Sequence, residues 1–244
     1  MLTSMWDGND WSDMNAYDYM RIDRDYFEDF VSRSTYNSNA IEGNTLTLAE
    51  TYAIQWCDDS MEIRATAREL YEAINYKYAL SAAMEDEGEG LSESLVKRVA
   101  RNINRNINEL DDYRRVQVMI RGAEHIPPAP AQVKSQMMQL VWSYNQDVAD
   151  EVDPFVREAT FHIRFERIHP FEDGNGRTGR ILLDRGLLLS GEAPAVMSRE
   201  VRSDYLQTIS EADIDSLAAL LRESSAKESE RMGAFMAARG ARRL

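Results

Sequence analysis

The sequence HPFEDGNGRTGR at 169–180 brings together residue types that could bind and activate a phosphate ester. Glycines allow a backbone to approach a ligand closely, and the free N–H groups at a helix N-terminus bind anions. The residues in position to form such a loop, at the start of a predicted helix, are Gly174, Asn175 and Gly176. The pattern therefore predicts a phosphate-binding loop.

Two arginines follow the loop at a spacing of three residues. Arg177 and Arg180 would share one face of the first helical turn, where both guanidinium groups can bind phosphate oxygens. Two cations at a helix N-terminus are unfavourable with the helix dipole unless an anion is bound there. Their placement therefore favours an anionic ligand.

Two further side chains of the segment could take part in the chemistry. Asp173 precedes the glycine loop and could hold Mg²⁺ between phosphates, because this ion prefers one or two carboxylates completed by phosphate and water. His169 could accept a proton from an attacking hydroxyl, because a neutral imidazole has a reference pKa of about 6.5.

Two other interpretations of the segment are a solvated turn between helices and a zinc site. His162, Glu166 and His169 lie at i, i+4 and i+7 on one helical face and could bind zinc, but the sequence offers no candidate for the fourth position. We favour the phosphate-binding interpretation and expect His162 to pack behind the site.

Helices must position these residues, and capping signals predict a succession of them. A capping box at Thr47 and Glu50 begins one helix, and Ser92, Pro130 and Asp153 begin three others. The remaining predicted helices span about 175–191, 199–210, 214–239 and 61–84, the last with Leu70, Ile74 and Tyr78 on one stripe.

One segment, 115–126, has the pattern of a β-hairpin. Val116, Val118 and Ile120 alternate along its first strand, and Gly122 could form the turn. We therefore predict a mainly α fold with one β-hairpin, whose edge another chain could pair with.

The composition describes an acidic globular protein. Twenty-eight basic residues against 42 acidic ones give a formal net charge of −14. This charge argues against binding to a nucleic-acid backbone or to an anionic membrane surface, although a small anionic ligand in a local pocket stays compatible with it. The single cysteine, Cys57, cannot form an intrachain disulfide, and neither a secretory signal nor an apolar run of about 18 residues is visible. We expect a cytoplasmic protein.

The segment 169–180 resembles the signature of the Fic family, which reads His-Pro-Phe, any residue, Asp or Glu, Gly-Asn, Gly or Lys, Arg, two residues and Arg. Every position agrees. The resemblance implies a Fic-type helical bundle that transfers AMP from ATP, with Mg²⁺, to a Ser, Thr or Tyr hydroxyl of a target protein. The roles that it implies are general base for His169, magnesium ligand for Asp173, anchor of the loop for Phe171, and nucleotide binding for Gly174, Asn175, Gly176, Arg177, Arg180 and, near the adenine, Tyr205.

The same resemblance assigns the target-facing part of the chain. It implies that the predicted hairpin is the flap on which the target segment docks, through Val118, Met119 and Ile120. The Asn-rich run NINRNIN at 102–108 departs from the family pattern and leaves this surface less defined than the chemistry.

A second segment, SNAIEGN at 38–44, resembles the inhibitory motif of Fic proteins that carry an N-terminal inhibitory helix. The resemblance implies that Ser38, Glu42 and Gly43 form this motif and that Glu42 pairs with Arg180 across the fold. Arg180 would then be unavailable to the γ-phosphate. The predicted organisation is an acidic arm at 1–22, a Fic domain at 23–225 that includes the inhibitory helix (about 30–44) and the flap (about 115–126), and a helical tail at 226–244.

The leading hypothesis is an autoinhibited protein adenylyltransferase that modifies a target protein, with self-modification as a second outcome. One alternative is the reverse reaction, in which Glu42 activates water to remove AMP. Another is a nucleotide-binding regulator without enzymatic activity, against which the intact His169 argues. Transfer of UMP, GMP or phosphocholine stays open, because the motif does not define the walls of the base pocket. The expected partners are ATP and a protein target, and a homodimer is compatible with the family.

Overall fold

The computed structural model describes residues 17, 18, 20, 23–56, 62–85, 90–120 and 125–241. The nine α-helices with defined bounds in this part of the chain are α1 (Arg24–Ile41), α2 (Leu48–Trp56), α3 (Ala67–Met84), α4 (Glu93–Asn104), α5 (Pro130–Ala149), α6 (Pro154–Ile168), α7 (Asn175–Leu189), α8 (Arg202–Glu211) and α9 (Ile214–Ala241), with one 3₁₀ turn at Arg199–Val201. The predicted mainly α fold class is therefore confirmed. None of these helices combines the length and the apolar composition that a bilayer crossing requires.

Several predictions fall outside the described residues. Cys57, Gly122 of the predicted hairpin turn and most of the predicted arm at 1–22 are among them. The predicted boundary at residue 225 falls within α9, which continues without a break to Ala241.

The predicted helix starts are confirmed where a side chain caps the helix. Thr47 N donates to Glu50 Oε2 at 2.8 Å and Glu50 N donates to Thr47 Oγ1 at 3.2 Å, which completes the capping box before α2. Ser92 Oγ accepts a hydrogen bond from Leu95 N at 3.1 Å at the start of α4. Prolines occupy the first turns of α5 and α6, where the missing N–H group costs nothing.

The prediction for 61–84 is wrong at its start and for its buried face. Thr66 and Glu69 form a capping box, so α3 begins only after Thr66. Tyr78 of the predicted apolar stripe is 54% exposed. The residues that face the core are instead Glu72, Ala73, Asn75, Tyr76, Ala79, Leu80, Ala83 and Met84.

The predicted β-hairpin at 115–126 is not seen. Its described residues form no strand and no ladder between its two sides, and the predicted turn lies outside the described residues. A side chain joins the two sides instead, since Gln117 Nε2 donates to Pro127 O at 3.0 Å. Pro127 and Pro128 have no N–H group, so they cannot donate to a strand ladder at this point.

The loop that carries the predicted chemistry connects α6 to α7, and α7 lies inside the core. Nearly every residue of α7 is buried, as expected for a helix that other elements surround on all sides. Its apolar side chains contribute to two clusters. Ile181, Leu182 and Leu188 belong to one, and Leu183 and Leu187 belong to the other.

Two glycines of α7 allow α6 to approach closely. A Cβ atom at Gly179 would lie 2.8 Å from the ring of His162, and a Cβ atom at Gly186 would overlap the carboxyl group of Glu158. Glu158 is fully buried and accepts a hydrogen bond from Tyr144 OH at 2.7 Å, so it cannot move aside at low cost. The two helices are therefore fixed relative to each other.

The helix α1 packs against α2, α3, α7 and α9 and ends beside the loop. Ser34 Oγ of α1 lies 2.9 Å from Tyr76 OH of α3. At the C-terminus of α1, Arg202 Nε donates to Ile41 O at 2.9 Å, a favourable position for a cation near the last carbonyl groups of a helix. Glu42 is the first residue after α1.

We expect Gly186→Ala to destabilise the protein, because the added methyl group would force α6 and α7 apart. Overpacking of this kind costs roughly 1–3 kcal/mol in the free energy of unfolding. The matched control is Gly233→Ala in α9, where a Cβ atom would meet nothing within 4 Å. That substitution should stabilise the helix by about 0.5–1 kcal/mol. Urea denaturation measures both effects, and equal stability of the two variants would contradict the close packing of α6 on α7.

Candidate functional site

The loop between α6 and α7 is anchored at both ends. His169 ends α6 in the left-handed region, with φ 50° and ψ 63°, which few residues other than glycine adopt. Arg114 supports this position, since its Nε donates to His169 O at 2.8 Å and its backbone N–H donates to Pro170 O at 2.8 Å. At the other end, Asn175 and Phe171 exchange two hydrogen bonds of 2.9 Å. Both ends of the loop are thus fixed by the protein itself.

Asn104 supports the loop from α4 and was not among the predicted site residues. It is fully buried, and its Nδ2 donates to Ala100 O at 2.9 Å and to Asp173 O at 3.2 Å. Gly174 lies against it at φ 75°, and a Cβ atom there would come within 2.7 Å of Asn104 Nδ2. The unusual Asn-rich run at 102–108 was the available signal, although the run alone does not say which asparagine turns inward.

The N-terminus of α7 faces an anionic side chain. Gly174 is the N-cap residue of α7 and provides no side chain to accept from the first N–H groups of the helix. Oε1 of Glu42 lies so close to Gly176 that a Cβ atom there would overlap it. The end of α7 predicted to bind phosphate is therefore already in contact with a carboxylate.

The guanidinium group of Arg180 lies at the centre of the site. Its Nε donates to Ser38 Oγ at 2.8 Å, and its Nη2 donates to Ser38 O at 3.1 Å. Nη2 also donates to Glu42 Oε1 at 2.7 Å, although 138 residues separate the two along the chain. Nη1 donates to Tyr205 OH at 3.1 Å. The structure thus brings together Ser38, Glu42 and Arg180, which the sequence predicts to meet.

Glu42 is held as an anion. Burial raises the pKa of its carboxyl group, but the charge of Arg180 and the hydrogen bond from Arg180 outweigh burial and hold this pKa below its usual range. Gly43 follows at φ 97°, a left-handed conformation that suits glycine, and the chain turns away from the site there.

Tyr205 lies behind Arg180. It is 2% exposed, and its hydroxyl group contacts both Arg180 and, at 2.6 Å, Nε2 of His162. Burial, and then the charge of Arg180, lowers the pKa of His162 to about 3, so this imidazole is neutral. The contact between Tyr205 and the adenine stays a prediction, and His162 packs behind the site as the sequence predicts.

The zinc interpretation has no support among the described residues. They contain no group of three or more His, Cys, Asp or Glu side chains that could hold a metal ion. Nε2 of His162 is engaged by Tyr205. Burial, and then the charge of Glu42, raises the pKa of Glu166 to about 8, so Glu166 is a neutral acid and a poor zinc ligand at neutral pH.

His169 is placed to act as a base. Its Nδ1 lies 3.3 Å from Glu166 O, and because a carbonyl oxygen can only accept, this contact assigns the proton to Nδ1. Nε2 is then the proton acceptor. Burial is the main influence on this imidazole and lowers its pKa, which favours the neutral form at neutral pH.

Asp173 and Arg177 belong to a group of four charged side chains. Asp173 forms ion pairs with Arg68 and, at 3.3 Å, with Arg177. Glu72 lies 3.0 Å from Arg68 Nε and 3.1 Å from Arg177 Nη1. Arg177 is 2% exposed, and its Nε has no hydrogen-bond partner among the described residues. A buried donor of this kind is available to an anion at the loop.

The predicted flap residues follow a segment that Arg114 connects to His169. Met119 is 80% exposed, whereas Val118 and Ile120 are half-buried. Arg114 connects this segment to the loop, since the guanidinium group that binds His169 O also donates to Val116 O at 2.9 Å. Arg114 is 4% exposed and was not predicted, because nothing in its sequence context separates it from the neighbouring charged residues.

Comparison with known proteins gives a consistent result. Residues 90–187 match the Fic/DOC family. Protein adenylyltransferase Fic from Nematostella vectensis is 30% identical over 186 residues, which cover 73% of this chain and 42% of the relative. Protein adenylyltransferase fic-1 from Caenorhabditis elegans is 30% identical over 192 residues, which cover 77% of this chain and 37% of the relative. The chain thus spans about two fifths of the length of these relatives.

Solved structures show the same fold. A fragment of Fic-1 from C. elegans superposes with a TM-score of 0.73 at 26% identity, over 88% of this chain and 67% of the fragment. A Fic domain containing signaling protein from Bacteroides thetaiotaomicron superposes with a TM-score of 0.72 at 24% identity, over 87% of this chain and 88% of that one. Through its signature loop, its sequence relatives and its fold, this chain belongs to the Fic/DOC family.

Proposed function

We propose that this protein is an adenylyltransferase that transfers AMP from ATP to a hydroxyl side chain of a target protein, and that Glu42 keeps it inactive. The observation that carries the proposal is the position of Glu42, whose carboxylate binds Arg180 and lies against Gly176 at the N-terminus of α7. The adenylyltransferases among the relatives support the choice of reaction.

His169 would act as the general base of this reaction. Its Nε2 accepts the proton of the target hydroxyl group while the hydroxyl oxygen attacks the α-phosphorus of ATP. A bond forms between that oxygen and phosphorus, the bond from the α-phosphorus to the bridging oxygen breaks, and pyrophosphate leaves. The free N–H groups at the start of α7 and the guanidinium groups of Arg177 and Arg180 would bind the phosphates.

The donor set at the loop fits a magnesium ion. Mg²⁺ takes one or two carboxylates and completes its shell with phosphate and water, and Asp173 offers one carboxylate beside an anion-binding helix end. The Asp173 side chain is 29% exposed, so its carboxylate is accessible from the loop. Arg68 and Arg177 pair with Asp173, and one of these contacts would open to admit the ion. When bound, Mg²⁺ would offset the negative charge of the phosphates.

Glu42 would inhibit by occupying the groups that bind phosphate. The N–H groups of Arg180 that donate to Glu42 and Ser38 are those that a γ-phosphate would need. The carboxylate also places negative charge against Gly176, where phosphate oxygens would lie. ATP could then bind only in an arrangement that misplaces its α-phosphate.

The target protein would dock on the segment at 116–120. Met119 is largely exposed there, and Arg114 links the segment to the backbone of His169. A peptide that pairs with this segment would bring its hydroxyl group to the base.

We expect Glu42→Gly to raise the rate of self-labelling and target labelling with labelled ATP. Removal of the carboxylate frees Arg180, and a change of about 1.4 kcal/mol in the inhibitory equilibrium corresponds to about tenfold in rate. Glu42→Gln keeps the shape of the side chain and loses its charge, so its labelling should fall between those of wild type and Glu42→Gly. The measurement is incorporation of radiolabel into the protein and into a lysate.

The control is His169→Ala in the Glu42→Gly background, which should abolish labelling while ATP still binds, as calorimetry can establish. Absence of label in both wild type and Glu42→Gly, with ATP binding intact, would sink the transferase proposal. Labelling by His169→Ala at the rate of the single variant would remove His169 from the role of base.

One observation favours removal of AMP as a second function. Glu42 binds Arg180 through Oε1, and its Oε2 has no partner among the described residues. The side chain is 39% exposed, so water can reach this oxygen. That oxygen could orient a water molecule toward an AMP-modified side chain. A purified AMP-modified target separates the two functions, because Glu42→Gly should increase modification if Glu42 inhibits and should abolish removal if Glu42 activates water.

The reaction should persist to lower pH than an ordinary histidine base would allow. Burial lowers the pKa of His169 below its usual 6.5, and a base must be deprotonated to accept a proton. Activity should therefore fall only as the pH drops through this lowered pKa. The acid limb of the kcat profile of Glu42→Gly measures it, and a midpoint at or above pH 6.5 would contradict the assignment.

A further inference from the structure

The helix α9 is bound to α1 by charged side chains that the proposed chemistry does not use, and one of them, Glu228, is buried. Arg33 Nη1 donates to Glu228 Oε2 at 2.8 Å, and Arg33 Nη2 donates to Glu228 Oε1 at 2.6 Å. Tyr26 OH donates to the same Oε1 at 2.8 Å. Glu228 is 3% exposed. This forked pair is the geometry in which arginine binds a carboxylate most strongly.

A second carboxylate extends the connection. Asp29 of α1 accepts a hydrogen bond from Arg33 Nε at 2.8 Å and from Arg231 Nε of α9 at 2.6 Å. Asp29, Arg33, Glu228 and Arg231 therefore alternate in charge across the two helices, and we call these four residues the α1–α9 clamp. The clamp gives a role to part of the segment beyond residue 225, which the sequence left without one.

The clamp lies on the helix that carries the inhibitory residues. Ser38 and Glu42 follow Arg33 by five and nine residues, and α1 is continuous up to Ile41. A continuous α-helix transmits a displacement of one turn to the next, since its hydrogen bonds fix each turn on the one before. The position of Arg33 is therefore coupled to that of Glu42.

The pair between Glu42 and Arg180 needs such support. The Glu42 side chain is 39% exposed, so water competes for its carboxylate, and its pair with Arg180 is weaker than a pair buried on both sides. The distance of 2.7 Å between Glu42 Oε1 and Arg180 Nη2 is kept only if α1 stays in place. Glu228 is buried and binds Arg33 through two hydrogen bonds, so removal of its charge leaves Arg33 paired with Asp29 alone and weakens the hold of α9 on α1.

We propose that Glu228 and Arg33 are positioning residues for Glu42. The clamp holds α1 at the depth where Ser38 and Glu42 reach Arg180, so α9 is part of the inhibitory apparatus. This inference rests on the proposed function, in which Glu42 inhibits. It extends that function by assigning the C-terminal helix to the same control.

The test substitutes Glu228→Gln in wild type and in Glu42→Gly. The change keeps the size of the side chain and its ability to accept from Tyr26, and it removes the charge that binds Arg33. The matched control is Glu223→Gln, the same change on the same helix at an exposed pair with Lys227. Self-labelling with ATP is measured for each protein, together with hydrogen exchange of residues 36–44.

The expected result is a rise in labelling of about tenfold for Glu228→Gln in wild type and no change in the Glu42→Gly background; tenfold corresponds to about 1.4 kcal/mol. Exchange at residues 36–44 should become faster in Glu228→Gln. Glu223→Gln should change neither quantity. A merely structural role would lower labelling equally in both backgrounds.

The outcomes separate the two proposals. If Glu42→Gly labels and Glu228→Gln behaves like wild type, the positioning role is wrong and the proposed function stands. If Glu42→Gly shows no self-labelling with ATP, the proposed function is wrong, and the inhibitory role of the clamp is then wrong as well. If Glu228→Gln does not fold, Arg231→Gln, whose side chain is 45% exposed, replaces it and should give a smaller rise. No rise and no faster exchange in Arg231→Gln would also overturn the inference.

Discussion

A buried guanidinium group requires an anion, and the site is organised around that requirement. Arg180 is nearly inaccessible to water and keeps its proton at every pH the protein meets. Leaving such a charge without a partner costs on the order of 3–5 kcal/mol. Ser38 and Tyr205 offer neutral oxygens, which accept hydrogen bonds but do not balance charge. A carboxylate or a phosphate must therefore be present, and Glu42 is the carboxylate that the chain itself supplies.

In the proposed function, Glu42 and a phosphate would compete at a loop whose backbone is held in place. The close packing of α6 on α7 through glycines holds the two helices that flank the loop, and the left-handed His169 and the paired Asn175 and Phe171 hold its two ends. His169 and the N-terminus of α7 would therefore keep their relative positions whether Glu42 or a phosphate is present. The element that could move away to admit a phosphate is α1, because only its C-terminal end contacts the site.

The parts of the candidate site that depend on neighbours in the chain can be predicted from the sequence. The spacing of Arg177 and Arg180, the glycine loop and the helix caps are local patterns, and the pairing of Glu42 with Arg180 came from resemblance. Contacts between distant segments have no such pattern. Asn104 and Arg114 bind backbone carbonyl groups of the loop, and the clamp joins residues about 200 positions apart.

Two predicted elements differ from what the described residues show. The apolar stripe predicted for α3 missed a face that is buried although it carries Glu72 and Asn75, because polar side chains can be buried where they serve a site or bind backbone groups. The hairpin was predicted from the alternation of Val116, Val118 and Ile120 and from Gly122, and no strand is seen among the described residues of 115–126.

If α9 influences the nucleotide site through α1, the nucleotide site must also influence the docking of α9. Binding equilibria that influence each other do so by the same factor in both directions. If the docking of α9 strengthens the hold of Glu42 on Arg180, a nucleotide that displaces Glu42 must loosen the docking of α9 by an equal free energy. The docking of the C-terminal helix would then depend on whether nucleotide is bound at a site that the helix does not touch. A partner or a modification on the outer face of this helix would in turn change the affinity for nucleotide.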